Sequence, residues 1–324
     1  MSILCAGLMV CDVIVSPIPK NIMETDSSRI NTLKMASGGD ALNVAVALGK
    51  LGVPVSLCGM VGSDAFGNFI SDDAAKYGVD TSAVIRNEKY STSTSIVLIE
   101  NAGERHFAYY GESNDALTAD DILKCDLTKH KHLHIGSAMA LKSLDGDGLR
   151  DVLKQAKAKN LTTSLDVTWD SDNIWLGKIK NALPYCDYFL PSLEEAKKIS
   201  SLEKIEDMKE YFKQFNIKKL VIKMGEAGSF ATDFIHEYRT PIIKKGAVVD
   251  TTGAGDCYAA GFICASYYGA DLQKSALFAT AVASDCVMEY GANTGIKSLD
   301  ETLDYLVREN KFSQDDVRLF TDKK

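Results

Sequence analysis

The run Val249-Asp250-Thr251-Thr252-Gly253-Ala254-Gly255-Asp256, continuing into Cys257-Tyr258-Ala259-Ala260-Gly261-Phe262-Ile263, decides how the rest of the chain is read. Ala247, Val248 and Val249 are strand-like, two glycines make a turn, and a helix of small residues leaves it with Asp256 in its first turn. The first N–H groups of a helix lack intrahelical acceptors and carry the positive end of the helix dipole. Gly253, Ala254 and Gly255 therefore form a candidate cradle for a phosphoryl group, with the Asp256 carboxylate beside it. Read instead as a plain strand-to-helix turn, the same residues gain only the dipole interaction of Asp256, ~0.3–1 kcal/mol. The surrounding chain has to choose between the two readings.

The 324 residues suffice for one large domain or two ordinary ones, and 46% hydrophobic residues can fill an extensive core. Net charge is 36 − 44 = −8 without a Lys/Arg block, which speaks against a nucleic-acid partner. No apolar run reaches the ~18 residues of a membrane span, and the first residues lack a basic lead, so no membrane association and a cytoplasmic location are expected. The eight cysteines are scattered through apolar segments and read as reduced, buried thiols. Cys257 adjoins Asp256 but has no histidine nearby in sequence to activate it, so no nucleophilic role is expected of it.

Residues 2–15 read as one strand whose lone charge is Asp12, either a turn residue or a carboxylate facing hydroxyl groups. The polar stretch 16–35 reads as irregular or as edge strands. Gly38 and Gly39 then precede a helix that starts at Asp40 and carries Asn43 in its first turn; glycines there allow close approach to a ligand. A strand at 55–61 and a helix at 64–77 follow. Residues 95–99 and 106–110 flank the turn Asn101-Ala102-Gly103 as a β-hairpin, the place expected for a lid.

Beyond residue 118 helices (118–124, 144–159, 173–181, 192–199, 203–215) alternate with strands (131–135, 162–167, 187–190, 219–223), before helices at 256–268, 272–290 and 298–308. This alternation predicts an α/β fold with a mostly parallel sheet covered by helices on both faces and ligands at the carboxyl ends of its strands. No composition break divides the chain, so a single domain over 1–324 is expected. His130, His132 and His134 alternate along a strand; strand-start histidines near the surface are expected there rather than a zinc site, which would draw ligands from separate elements.

Gly38-Gly39-Asp40-Ala41-Leu42-Asn43-Val44-Ala45 resembles the first signature of the ribokinase-like (PfkB-type) carbohydrate kinases, and Asp250 to Asp256 with Ala260-Gly261-Phe262 is similar to the second. The hairpin, Pro191-Ser192-Leu193-Glu194-Glu195-Ala196 and Lys223-Met224-Gly225-Glu226-Ala227-Gly228 fall where that family places its lid, magnesium-phosphate segment and nucleotide loop. The resemblance implies a ribokinase-like fold with a small β lid from about 12–36 and 86–114, and transfer of the ATP γ-phosphoryl group to a sugar or polyol hydroxyl. It makes Asp256 the catalytic base and Gly253, Ala254 and Gly255 the anion hole. A helix N-terminus should lower the basicity of Asp256.

By the same resemblance Asp12, Gly38, Gly39 and Asn43 contact the substrate; Asp40, standing where many members carry a small or basic residue, is a further substrate-side candidate whose carboxylate favours a non-phosphorylated sugar. Lys223, Gly225, Gly228, Thr252, Gly253, Gly255 and Asn293 lie along the nucleotide. Glu195 acts on Mg2+ through water, with Ser192 standing where the family carries Asn, and Asp250 and Thr252 match positions that bind K+ in some members. A homodimer through the lid is also implied. A nucleoside kinase of the same fold and a catalytically silent sugar-binding relative are the competing readings. A nicotinamide-dependent oxidoreductase is disfavoured, since no GxGxxG follows the first strand.

Overall fold

The structure is a computed structural model that describes residues 1–322. β1 (Ser2–Gly7) starts in the middle of a central sheet, while β2 (Val10–Ile18) and β3 (Thr32–Gly38) leave for a second sheet before α1 (Asp40–Lys50). β4 (Val55–Cys58), β5 (Met60–Gly62), α2 (Ala65–Lys76), β6 (Val79–Asp80) and β7 (Ile85–Asn87) follow, and the hairpin β8 (Thr94–Glu100) and β9 (Arg105–Tyr110) joins the second sheet. After α3 (Glu112–Ala116) and α4 (Ala119–Leu123) come β10 (His130–Ala138), α5 (Asp147–Ala158), β11 (Thr162–Val167), α6 (Leu176–Ile179) and β12 (Tyr188–Phe189). Then come α7 (Leu193–Ser200), α8 (Ile205–Lys213), β13 (Lys219–Lys223), β14 (Ser229–Thr232) and β15 (Glu237–Thr240). Helices α9 (Ala254–Tyr268), α10 (Leu272–Cys286), α11 (Leu299–Arg308) and α12 (Gln314–Thr321) close the described chain.

The central sheet has the order β15-β14-β13-β12-β11-β10-β1-β4-β6, parallel except at β13-β14-β15. Successive strand residues enter opposite cores: Ile3 and Cys5 pack with α1, α9 and α10, while Leu4 and Ala6 pack with α5 and α8. Both faces are thus covered, as the near-continuous apolar strands require. Strand order reverses beside β1, with β4 on one side and β10 on the other, which opens a crevice at the carboxyl ends. The second sheet, ordered β3-β2-β8-β9, reaches that end of the body: β3 runs into the start of α1, and Arg105 of β9 bonds Asp250 and Thr252 just before α9.

Several local expectations are corrected. The single strand 2–15 breaks after Gly7, whose φ of 137° turns the chain from one sheet into the other, so Asp12 belongs to the upper sheet. The helix expected at 173–181 shrinks to α6, because the Asp170 carboxylate accepts the N–H groups of Asp172, Ile174 and Trp175 at 3.0, 2.5 and 2.6 Å and holds them in a turn. The helix expected to reach 290 ends at Cys286, and the antiparallel pair β14-β15 was not foreseen. His132 and His134 are buried, not near the surface, and both bond to Ser164 Oγ, at 2.7 and 2.8 Å. Burial pushes His132 down to about 3, so these are neutral core rings.

Helix α9 is buried along most of its length and packs closely on α10. A Cβ on Gly261 would lie 2.7 Å from the Ala279 Cα, so the two backbones meet where no side chain fits. Gly261→Ala should therefore cost ~1–3 kcal/mol in urea unfolding. Gly148→Ala on α5, where the nearest atom would be 3.5 Å away, should be neutral or stabilise by ~0.4–1 kcal/mol. Equal effects of the two changes would refute the packing argument.

Candidate active site

Two helix N-termini converge at the crevice. Gly253, at φ 74°, turns the chain into α9 with its α-carbon against the Ala292 carbonyl, a place and conformation that a side chain would not tolerate. The Ala254 N–H donates to Thr251 O at 3.2 Å, which corrects the expectation that all three hole residues present free donors. Gly255 and Asp256, in the first turn, keep N–H groups without an intrahelical partner. Gly39, at φ 92°, likewise caps α1 and accepts the Asn43 N–H at 2.8 Å. That turn aims Asn43 across the crevice, where its Nδ2 donates to Asp256 Oδ2 at 2.8 Å. The Asn43 Oδ1 and the Ser137 Oγ are buried without a hydrogen-bond partner, although Ser137 faces the Asp40 carboxyl.

Three more strand and helix ends supply charge. Lys223, at the end of β13, pairs with Asp166 near the end of β11 at 2.5 Å. Glu195 is the third residue of α7 and takes part in a capping box: the Ser192 N–H donates to its Oε2 at 2.7 Å, and its own N–H donates to Ser192 Oγ at 3.3 Å. Ser192 thus starts the helix and fixes the Glu195 backbone, which is a structural role for the residue that departs from the family pattern.

Burial raises the carboxyls of Asp40, Asp166, Glu195 and Asp256 above their ordinary values, and Lys223 pulls each of them back down. For Asp256 burial is the largest cause and the nearby Asp40 charge the next, which together outweigh the Asn43 hydrogen bond and Lys223. The expectation of a carboxylate weakened by the helix dipole is therefore reversed: desolvation and a like charge make Asp256 more basic. Lys223 is itself held above its usual value, because the pull of Asp166 and Glu195 outweighs the effect of burial, and it stays protonated.

The remaining candidates fall around this centre. Asp12 on β2 is half-buried against the Gly38 α-carbon, and burial pushes its carboxyl up to about 6. Gly225 and Gly228, at φ 55° and 85°, shape the turn after Lys223. The Asn293 carbonyl accepts from Lys50 Nζ at 2.8 Å, which ties the loop after α10 to the end of α1. Asp250 and Thr252, the positions matched to K+, are bonded instead by Arg105 from β9, whose Nη1 reaches Asp250 Oδ1 at 3.1 Å and Thr252 Oγ1 at 3.0 Å. Neither Arg105 nor Ser137 was picked out from sequence. Arg105 opens β9 just after the polar hairpin turn, where no signature falls, and only the fold brings Ser137 to Asp40. The Cys257 thiol donates to Ala292 O at 3.1 Å, and burial raises it well above its ordinary value, so it is inert packing.

Residues 2–299 match the pfkB family carbohydrate kinase. The chain belongs to this family. It is 28% identical over 257 residues, 79% of its length, to the whole of an uncharacterized sugar kinase of Archaeoglobus fulgidus. It is 29% identical to a nucleoside kinase of Methanothermobacter thermautotrophicus, covering 86% of each chain. Its fold superposes on an Arabidopsis thaliana ribokinase complexed with ribose and ATP with a TM-score of 0.80 at 23% identity, covering 96% of this chain and 99% of the other. This pfkB-family protein is thus a carbohydrate kinase with a ribokinase-like α/β fold.

In this kinase the four raised carboxyls depend on one ammonium. Lys223→Gln should cut kcat at least ~100-fold and move the acid limb of the pH–rate profile to higher pH. The sign follows from the charges: Lys223 favours the ionised carboxylates, so without it they protonate at higher pH and activity is lost earlier on acidification. An unmoved acid limb in Lys223→Gln would remove Lys223 from the titrating unit.

Proposed function

We propose that the protein transfers the γ-phosphoryl group of ATP to a hydroxyl of a neutral sugar or sugar-like polyol. The observation that carries this reading is Asp256 at the start of α9, raised in basicity, oriented by Asn43 and placed beside unpaired helix N–H groups. In the mechanism, Asp256 orients the acceptor hydroxyl and takes its proton as the new O–P bond forms and the bond from the γ-phosphorus to the bridging oxygen breaks, with ADP as the leaving group. The N–H groups of Gly255 and Asp256, with Gly253 and Ala254 completing the turn, hold the transferred phosphoryl oxygens. Donors aimed at developing charge are worth ~2.7–4 kcal/mol each, well above the dipole interaction of an ordinary turn. Asp12, Gly38, Gly39 and Asn43 bind the other hydroxyls, and the orphaned Asn43 Oδ1 and Ser137 Oγ suit a polar ligand.

Mg2+ fits the donor chemistry, since the hard carboxylate oxygens of Asp166 and Glu195 feel each other's charge and together carry more negative charge than Lys223 balances. Bound there with ATP, it would neutralise the β- and γ-phosphate oxygens. Lys223, Gly225, Gly228 and Asn293 line the expected nucleotide path. Asp40 places a further carboxylate beside the acceptor, which disfavours an already phosphorylated sugar. The nucleoside kinase relative at 29% identity keeps a nucleoside acceptor as the second reading. Among the described residues no helix is long and apolar enough to cross a membrane. The exposed Leu33 and Ile96, which share one face of the upper sheet, support a homodimer through the lid.

Release of ADP should be detected with ATP, magnesium and at least one member of a panel of ketoses, aldoses, sugar acids, polyols and nucleosides. Turnover of nucleosides alone would exchange the first reading for the second, and no turnover at all would favour a silent binding protein. Asp256→Asn should keep ATP affinity while kcat falls by two or more orders of magnitude, roughly the cost of losing an acid–base group. Near-normal kcat would exclude Asp256 as the base. Asp12→Ala should raise KM for the acceptor far more than for ATP, and the reverse pattern would assign Asp12 to structure.

A further inference from the structure

The upper sheet meets the phosphoryl-transfer loop through the side chain of Arg105. Arg105 opens β9 opposite Ile99 of β8, at the turn end of the hairpin, and its guanidinium spans to residues 145 and 147 positions later in the chain. The acceptor it reaches is a buried carboxylate: the Asp250 side chain is 7% exposed and that of Arg105 33%. Asp250 is fixed on its other sides by the Thr252 N–H at 3.0 Å, the Thr252 hydroxyl at 2.7 Å and the Gly291 N–H at 3.1 Å. Burial alone would raise its carboxyl, but these donors together with Arg105 outweigh that effect and hold it below its ordinary value. Thr252 is bonded by the same guanidinium and directly precedes Gly253, where the anion-binding turn begins.

We propose that Arg105 is a positioning residue that couples closure of the lid to ordering of the 250–256 loop, and that its guanidinium is the built-in cation of that loop. The second half of this statement rests on the phosphotransferase reading; the first does not. The physical reason is the cost of leaving Asp250 without a counter-charge. Among the described residues Arg105 is its ion-pair partner, and a buried carboxylate stripped of its partner is strongly penalised. When the hairpin lifts, Asp250 becomes an uncompensated negative charge beside the site that must accept phosphate oxygens. When it closes, that charge is cancelled and Thr252, hence the turn at Gly253, is held. Closed and open states therefore differ in contacts made at the loop, which is what coupling requires. An added potassium ion would have to displace the guanidinium from both Asp250 Oδ1 and Thr252 Oγ1, so catalysis should not need it.

The test compares wild type, Arg105→Ala and Arg105→Lys in tetramethylammonium buffer, alone and with potassium chloride or with guanidinium chloride at non-denaturing concentration. Wild-type kcat should be the same with or without potassium. Arg105→Ala should lose at least ~10-fold in kcat and recover much of it with guanidinium or potassium, while Arg105→Lys keeps part of the activity without either. Normal kinetics in Arg105→Ala, or a loss that neither cation restores, overturns the proposal, and strong potassium activation of the wild type overturns the built-in cation. Hydrogen exchange reads the coupling without any turnover. In Arg105→Ala, amides of both 94–110 and 250–256 should exchange faster, and acceleration confined to the hairpin overturns the coupling. If wild type shows no kinase activity on any acceptor, the phosphotransferase reading and the built-in cation of catalysis fail together, while the exchange result still decides the coupling.

Discussion

The structure depends on concentrating negative charge that water no longer screens. Asp40, Asp166, Glu195 and Asp256 come from two helix starts, a strand end and the first turn of a third helix, and all four lie within the influence of Lys223. In an unliganded crevice such a set stores electrostatic strain, because each carboxyl is pushed toward its protonated form by burial and by its neighbours. That strain is relieved by ligands that bring positive charge or donate hydrogen bonds, so the same feature that costs stability prepares the site to bind them.

The fold makes this arrangement possible by ending its strands at one place. Reversal of strand order at β1 lets α1 and α9 approach from the same face of the sheet with their N-termini over the crevice, close enough for Asn43 to reach Asp256 at 2.8 Å. β11 and β13 bring Asp166 and Lys223 up from the other side of β10. The upper sheet is built from segments that interrupt this alternation, and it is attached to the body through the Arg105–Asp250 ion pair, so a separate layer meets the 250–256 loop directly.

Helical dipoles and desolvation act in opposite directions on Asp256, and the balance could not be judged from its motif. The glycine-rich turn announced a helix N-terminus, which stabilises a carboxylate. Burial and Asp40 proved stronger. Ser192 is a similar case: read against a family pattern it looks like a lost ligand, whereas in place it is one half of a capping box with Glu195.

The sequence by itself determined the α/β alternation, the two glycine-capped helix starts, the hairpin and the candidate residues Asp256, Asn43 and Lys223. These are local signals, written in hydrophobic period and in residues that tolerate particular backbone angles. Only the tertiary structure decided that residues 2–15 split between two sheets at Gly7, that His132 and His134 are neutral core rings, that Ser137 faces Asp40 and that Arg105 rather than a free ion meets Asp250. Each of these depends on contacts between segments far apart in the chain, or on how much water burial removes, and neither quantity has a period or a spacing to be read in sequence.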